Sequence, residues 1–285
     1  MYRHLSPLRY PGGKTSLWKY LSCVIEENNI EKAIYIEPFA GGAGAALNLL
    51  VNGYVKEIVL NDLDERIYKF WKAILNDTDE FIARIISTPL SVAEWRKQKG
   101  LLRDKKFVRK GSAIDVGFAS FFLNRCNRSG VLSAGPIGGM KQSGEWKIDA
   151  RFNKTELIHR IEKIAQFRNS IKICNKDGLD FLKDYLRKMR SMKSRVLVYL
   201  DPPYFQKGRD LYKYYMENDD HEKLGVFLKE CTDFRWIISY DDISFIRNIY
   251  KGVKKNQVQM QYSAHKVCIG KELLMSSRNC VLPKN

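Results

Sequence analysis

The sequence predicts an α/β fold: a Rossmann-like, nucleoside-binding sheet interrupted by a basic, mainly helical insertion. Three observations predict it. Short β-rich runs alternate with helical stretches at the spacing of βαβ units. A glycine-rich turn, Gly41-Gly-Ala-Gly44, separates the first of those strands from the helix after it. Residues 90–155 carry fourteen lysines and arginines against five acidic residues, nine of the +17 net charge, so a segment of different character breaks the alternation.

The elements follow in order. Residues 1–64 read as helix, strand, glycine loop, helix, strand. Ala33–Glu37 is a short β-rich run, Ala45–Val51 is helical by composition, and Lys56–Asn61 is a strand ending at Asp62. From Glu65 to about Ser87, apolar residues at 67, 70, 71, 74, 75, 81, 82, 85 and 86 predict helix with a break near Asp77-Thr78-Asp79. Pro89 opens the basic stretch, densest through Arg96, Lys97, Lys99, Arg103, Lys105, Lys106, Arg109 and Lys110. Residues 115–123 are a buried helix by their apolar content. The Asn124–Gly139 segment, dense in Gly, Ser, Asn and Arg, is too irregular for core and too long for an idle connection.

The α/β pattern then resumes. A helix is expected over about 154–167, a strand at Ile171–Cys174, a turn at Asp177-Gly178, a helix over about 179–190 and a strand at Arg195–Leu200. Later strands are expected at Trp236–Ser239, Val258–Tyr262 and Glu272–Met275. The expected organisation is one discontinuous catalytic domain, 1–64 with 154–285, and an inserted domain, 65–153.

Composition narrows the class. Hydrophobic content of 45% and charged content of 28% are those of a soluble globular protein. The apolar runs fall short of a membrane span and the N-terminus lacks a signal-peptide core, so a cytoplasmic protein is expected. The six cysteines show neither a C-x-x-C pair nor zinc spacing; they are expected to be reduced, with no metal bound. The net charge points to a polyanionic partner.

Glu37-Pro-Phe-Ala-Gly-Gly-Ala-Gly44 follows a strand and opens a helix, but its spacing is not the full dinucleotide fingerprint. Asp62 lies about 20 residues on, at the end of the next strand, where a carboxylate can accept from ribose hydroxyls. Together they fit a nucleoside cofactor without a pyrophosphate, S-adenosylmethionine, with Glu37, Phe39, Gly41 and Asp62 as candidate contacts. Tyr10-Pro-Gly-Gly-Lys14-Thr15 fails the P-loop pattern, since Leu8 stands where the first glycine belongs. Lys14 is therefore a candidate to meet the carboxylate or nearby backbone of the same cofactor, the alternative being a solvated lysine after a turn. Asp177, in another strand-end loop, either accepts from the cofactor's adenine amine or caps the next helix.

Asp201-Pro-Pro-Tyr204, directly after an apolar strand, is the most informative motif. A carboxylate and a backbone carbonyl can accept both hydrogens of an exocyclic amine while the ring stacks on a planar base. The amine nitrogen then becomes nucleophilic enough to attack a sulfonium methyl in line, through positioning and electrostatics. Asp201, Pro202 and Tyr204 are the candidate catalytic residues.

Taken together, Tyr10–Lys14, Glu37–Gly44, Asp62, Phe122-Leu-Asn-Arg125, Asp201–Tyr204 and Glu272-Leu-Leu274 resemble the DNA adenine-N6 methyltransferases of the Dam-like class, in the family's order. The resemblance implies the S-adenosylmethionine-dependent methyltransferase fold and a target-recognition domain in the insertion. It places Tyr10, Lys14, Asp62 and Asp201 at the cofactor, with Gly12 of the same N-terminal motif as a further candidate, and Asp201–Tyr204 at the adenine. Asn127, Arg128, Ser129 and Gly130 would face double-stranded DNA, Arg125 and Arg128 being candidates for guanine or phosphate contacts. Lys105, Lys106, Arg109 and Lys110 would dock the backbone. Members that read GATC tend to carry an arginine where Ser133 stands, so that specificity is not inherited. The remaining alternatives are an RNA or protein-amide methyltransferase, and a silent DNA-binding module of a restriction or defence complex.

Overall fold

The computed structural model describes residues 5–10, 13–204, 215–263 and 267–283, with the backbone alone over 257–263 and 267–272. In chain order, α1 (Trp18–Glu27), β1 (Ile34–Glu37), α2 (Gly44–Val51) and β2 (Glu57–Asn61) come first. Six helices follow: α3 (Glu65–Asn76), α4 (Thr78–Ser87), α5 (Val92–Arg103), α6 (Lys105–Lys110), α7 (Ala113–Cys126) and α8 (Lys154–Ala165). The chain closes with β3 (Ile171–Cys174), α9 (Gly178–Lys188), β4 (Val196–Leu200), α10 (Asn218–Glu230), β5 (Arg235–Asp241), α11 (Ser244–Ile249), β6 (Lys254–Ser263) and β7 (Val267–Ser276).

These elements form two compact units, Lys14–Leu63 with Ser170–Asn285, and Met1–Gly13 with Asp64–Asn169. The first holds the whole sheet, in order β3-β2-β1-β4-β5-β7-β6. Five strands are parallel; β7 runs antiparallel between β5 and β6. Central strands covered on both faces read as nearly continuous apolar runs, and every residue of β1 and β4 is buried. Ile34, Ile36, Val196, Val198, Leu200, Trp236 and Ile238 join Phe181, Leu182, Leu224 and Leu228 in one core. By the period of two, the other face carries Tyr35, Glu37, Leu197, Tyr199, Ile237 and Ser239.

The second unit is helical. α7 is its axis: ten of its residues are buried, among them Phe118, Phe121 and Phe122, which pack edge-on and stacked against Phe70, Phe81 and Phe152. Gly117 lets α7 approach α3, since a Cβ there would stand 2.7 Å from the Lys69 carbonyl. Asp64, Ser91, Asp104, Ser112 and Asn153 each cap the helix that follows, which fixes boundaries where periodicity alone is vague.

Two expected boundaries move. α7 runs through Asn124 and Arg125 to Cys126, so the irregular segment starts at Asn127 rather than Asn124. α8 belongs to the helical unit, as does the segment before Lys14, although both were expected in the α/β half. The contacts explain α8: Lys154 donates to the carbonyls of Ile86 and Thr88 at the end of α4, and Arg160 donates to the carbonyl of Ser6. Among the described residues no helix is long and apolar enough to cross a membrane.

Candidate active site

Parallel strands deliver their carboxyl ends to one edge of the sheet, and here each delivers an acid. In sheet order these are Asp177 three residues beyond β3, Asp62 directly after β2, Glu37 at the end of β1, Asp201 directly after β4, and Asp241 at the end of β5. The chain leaves β1 in one direction across the sheet and β4 in the other, so the Glu37–Asp201 junction is the topological switch point where open α/β sheets bind ligands.

The glycine loop spans that junction. Gly41 adopts φ +48°, and so does Ala43, which begins α2 from a left-handed conformation that costs a non-glycine residue about 1 kcal/mol. Asp62 holds the loop, accepting the Gly41 N–H at 2.8 Å. Asn61, fully buried at the end of β2, ties two loops together: its Nδ2 donates to the carbonyls of Pro38 and Lys176, and its Oδ1 accepts the Lys176 N–H. Gly44 lets Thr15 pack closely, since a Cβ there would stand 2.2 Å from Thr15 Oγ1 and 3.3 Å from its Cα. Gly178 is equally constrained: a Cβ would meet the Phe39 ring at 2.5 Å, so this ring lies directly against the start of α9.

Residues around the loop fit an adenosyl sulfonium better than a phosphorylated nucleotide. Asp62 and Asp177 are hydrogen-bond acceptors suited to hydroxyls and amines, Phe39 supplies a half-buried ring, and the carboxylates of Asp62 and Asp177 repel phosphate while favouring a cation. Asp177 caps α9, its Oδ1 accepting from the N–H groups of Leu179 and Asp180; its side chain is exposed at the rim.

Glu37 faces inward. It is 5% exposed, accepts the Tyr35 hydroxyl at 3.0 Å and the backbone N–H of Ala46. Burial, with Asp201 nearby, pushes its carboxyl up to about 8. A carboxyl raised on folding binds a proton the unfolded chain releases, so its stabilising contribution is complete below about 4.5 and lost as pH rises through about 8. The melting temperature is therefore expected to fall between pH 5 and pH 9, and Glu37→Gln to flatten that fall. Thermal unfolding of both proteins at the two pH values checks it, and parallel curves would refute it.

Asp201 is held from two sides. Lys14 Nζ lies 3.2 Å from its Oδ1, and the Lys14 side chain is 5% exposed against 23% for Asp201. Ser239 of β5 donates to the same oxygen at 2.9 Å. Lys14 also donates to the Tyr204 hydroxyl at 2.5 Å, so one ammonium links the carboxylate to the aromatic ring. Lys14 is thus a buried member of the site and not a solvated lysine. Arg195 anchors the other end of β4 through the Lys32 carbonyl.

In the helical unit, the expected DNA-facing residues separate into two kinds. Asn127 is fully buried. Its Oδ1 accepts the Trp95 indole N–H at 2.6 Å, and its Nδ2 donates to the carbonyls of Val131 and Leu132. It shapes the loop and faces inward, which corrects the expectation that it faces DNA. Arg125 is largely buried too, donating to the Arg151 carbonyl; burial and neighbouring Arg9 and Arg160 lower its pKa to about 9. Ser129 (φ +55°) and Gly130 (φ +75°) turn the chain, and a Cβ on Gly130 would stand 2.4 Å from the Arg9 carbonyl. Arg128 is exposed, as are Lys105, Lys106, Arg109 and Lys110 on α6. Replacing Asn127 by Ala is expected to destabilise the protein by roughly 2–4 kcal/mol, since the buried Trp95 donor loses its acceptor. Denaturant unfolding measures this, and a loss under about 0.5 kcal/mol would contradict it.

Tyr10 lies in the segment of the helical unit before Lys14, its carbonyl accepting the Gly13 N–H at 3.0 Å. Gly12 and the Glu272 side chain lie outside the described residues; Leu273 and Leu274 are buried. Three contributors went unrecognised in the sequence. Asn61 and Ser239 are polar residues inside apolar strands, which must find partners when buried. Lys99, one of the basic run, donates to the carbonyls of Leu132 and Ala134 and so braces the loop that Asn127 shapes.

A switch-point carboxylate beside a glycine loop is the arrangement by which open α/β sheets bind ligands. Residues 10–264 match the D12 class of N6 adenine-specific DNA methyltransferases. The chain belongs to that family, and it is an enzyme that methylates adenine in DNA. It is 26% identical over 273 residues to the Type II methyltransferase M.MjaIII of Methanocaldococcus jannaschii, covering 88% of this chain and 89% of that one. Its backbone also aligns, at TM-score 0.41 and 10% identity, with the rRNA methyltransferase aviRa of Streptomyces viridochromogenes, over 95% of this chain and 88% of that one. The latter likeness is loose, and the assignment rests on the family match.

Proposed function

We propose that the chain transfers a methyl group from S-adenosylmethionine to the N6 amine of an adenine turned out of double-stranded DNA, with the site on the carboxyl edge of the sheet. The placement of Asp201 carries this reading: it stands at the switch point, directly across from the glycine loop on the neighbouring strand. Glu37, Phe39, Gly41, Asp62 and Asp177 surround the nucleoside, whose donor supplies a methyl on a sulfonium. Lys14 contributes from the start of the same unit, and Tyr10 and Gly12 are cofactor candidates on the family resemblance. Asp201 and the carbonyl of Pro202 accept the two hydrogens of the amine, so its lone pair localises on nitrogen. Tyr204 stacks on the extruded base and offsets part of the few kcal/mol that extrusion costs.

The 65–153 insertion is the target-recognition domain. Exposed Lys105, Lys106, Arg109 and Lys110 neutralise phosphates, and Arg128, with Ser129 beside it, reaches the DNA from the braced loop. Arg125 is a contact only where its buried guanidinium can be approached. Acting on DNA, the enzyme works in the cytoplasm, and its likeness to a Type II methyltransferase supports a cognate restriction or defence partner. GATC is not assigned as the site read, because Ser133 stands where GATC-reading members tend to carry arginine. Expression in a methylation-free host, with modified adenines mapped by single-molecule sequencing, gives activity and recognition site at once. Unmodified DNA at full expression would overturn the reading.

A further inference from the structure

A polar ladder crosses the sheet beneath the site. On the face opposite the apolar core, β1, β4 and β5 present Tyr35, Tyr199 and Ser239 side by side. The Tyr35 and Tyr199 rings stack with centroids 6.5 Å apart and planes 12° apart. The Tyr199 hydroxyl lies 2.9 Å from Ser239 Oγ, and Ser239 Oγ lies 2.9 Å from Asp201 Oδ1. Tyr199 is 1% exposed and Ser239 fully buried, so neither can reach a substrate.

We propose that Ser239, backed by Tyr199, is a positioning residue for Asp201. A serine hydroxyl has one proton to give. With Tyr199 donating to Ser239 Oγ, that proton is directed to Asp201 Oδ1, its alternative acceptor, the Leu200 carbonyl, being 3.5 Å away. Lys14 meets the same oxygen, so both fixed donors fall on Oδ1. Oδ2, which accepts no hydrogen bond among the described residues, is left to take an amine hydrogen. Without Ser239, Lys14 alone restrains Oδ1, and it is shared with Tyr204; the carboxylate can then turn away from the line of transfer. Donors locked by packing are what hold a reacting group to within about 0.5 Å.

The inference rests on Asp201 gripping the substrate amine, and single-turnover methyl transfer by the wild type against Asp201→Ala, on duplex DNA carrying the mapped site, tests that first. Given an active wild type, Ser239→Ala is expected to lower kcat about 10- to 100-fold, the effect of one hydrogen bond to a charged group, with KM for DNA and donor affinity within about threefold. Tyr199→Phe is expected to lower kcat by less, about 3- to 10-fold, and the double variant to be no slower than Ser239→Ala, because Tyr199 acts through Ser239. A wild-type kcat in Ser239→Ala, donor affinity falling in step with rate, or effects that multiply in the double variant would each overturn the proposal. Should Ser239→Ala fail to melt cooperatively, Tyr199→Phe decides: a wild-type kcat there overturns it as well.

Discussion

Asp201→Ala is expected to all but remove methyl transfer, lowering the single-turnover rate by about a hundred- to a thousandfold, while donor affinity changes by less than about tenfold. The substitution deletes the acceptor that localises the amine lone pair, and loss of one such preorganised group costs about 10²–10³ in rate. It also removes one partner of Lys14, whose ammonium is nearly buried beside Tyr204. Losing one partner of a buried pair destabilises by roughly 3–5 kcal/mol, discounted here because Asp201 is 23% exposed. Asp201→Asn separates the two effects: an amide oxygen can still face Lys14, so stability recovers while transfer stays slow. Turnover preserved in either variant would remove Asp201 from the chemistry.

The second large effect belongs to α6. Changing Lys105, Lys106, Arg109 and Lys110 together to Gln is expected to weaken DNA binding by about 10²–10³-fold near 0.15 M salt and to flatten the salt dependence of log affinity by up to about 3.6. That is the counterion release of four phosphate contacts at about 0.9 each. All four side chains are exposed, and the inward contacts that hold α6 belong to Val108 and to the clamp of Lys69 on the carbonyls of Val108, Arg109 and Gly111. The fold should therefore survive. Affinity and slope that both stay unchanged would place the docking surface elsewhere.

How much of this was legible in the sequence differs by element. Strands ending in Glu37, Asp62 and Asp201 were readable because central parallel strands advertise themselves as apolar runs and their acids fall at the ends. The glycine loop was readable too, although the second left-handed position is occupied by Ala43 rather than by Gly42, a choice that spacing does not reveal. The Asn124–Gly139 segment was misjudged for a physical reason. The family resemblance puts Asn127 toward DNA, yet Asn124 and Asn127 are buried and supply the hydrogen bonds that an irregular backbone must find once it leaves water. Likewise Ser239 and Asn61 were hidden inside strand signals, since nothing local to a strand says which loop its polar residue will reach. Net charge located the helical unit but could not separate Lys99, which braces a loop, from its exposed neighbours on α6.

The row of acidic side chains along the carboxyl edge bears on how a catalytic cycle ends. A sulfonium loses its positive charge when it gives up its methyl group, whereas the adenosine, carboxylate and ammonium parts of the molecule are unchanged. For a donor seated on that edge, Asp62, Asp201 and their neighbours attract the loaded form more strongly than the spent one. Reaction thus weakens the hold on its own by-product, and inhibition by that by-product should ease as the edge becomes more acidic.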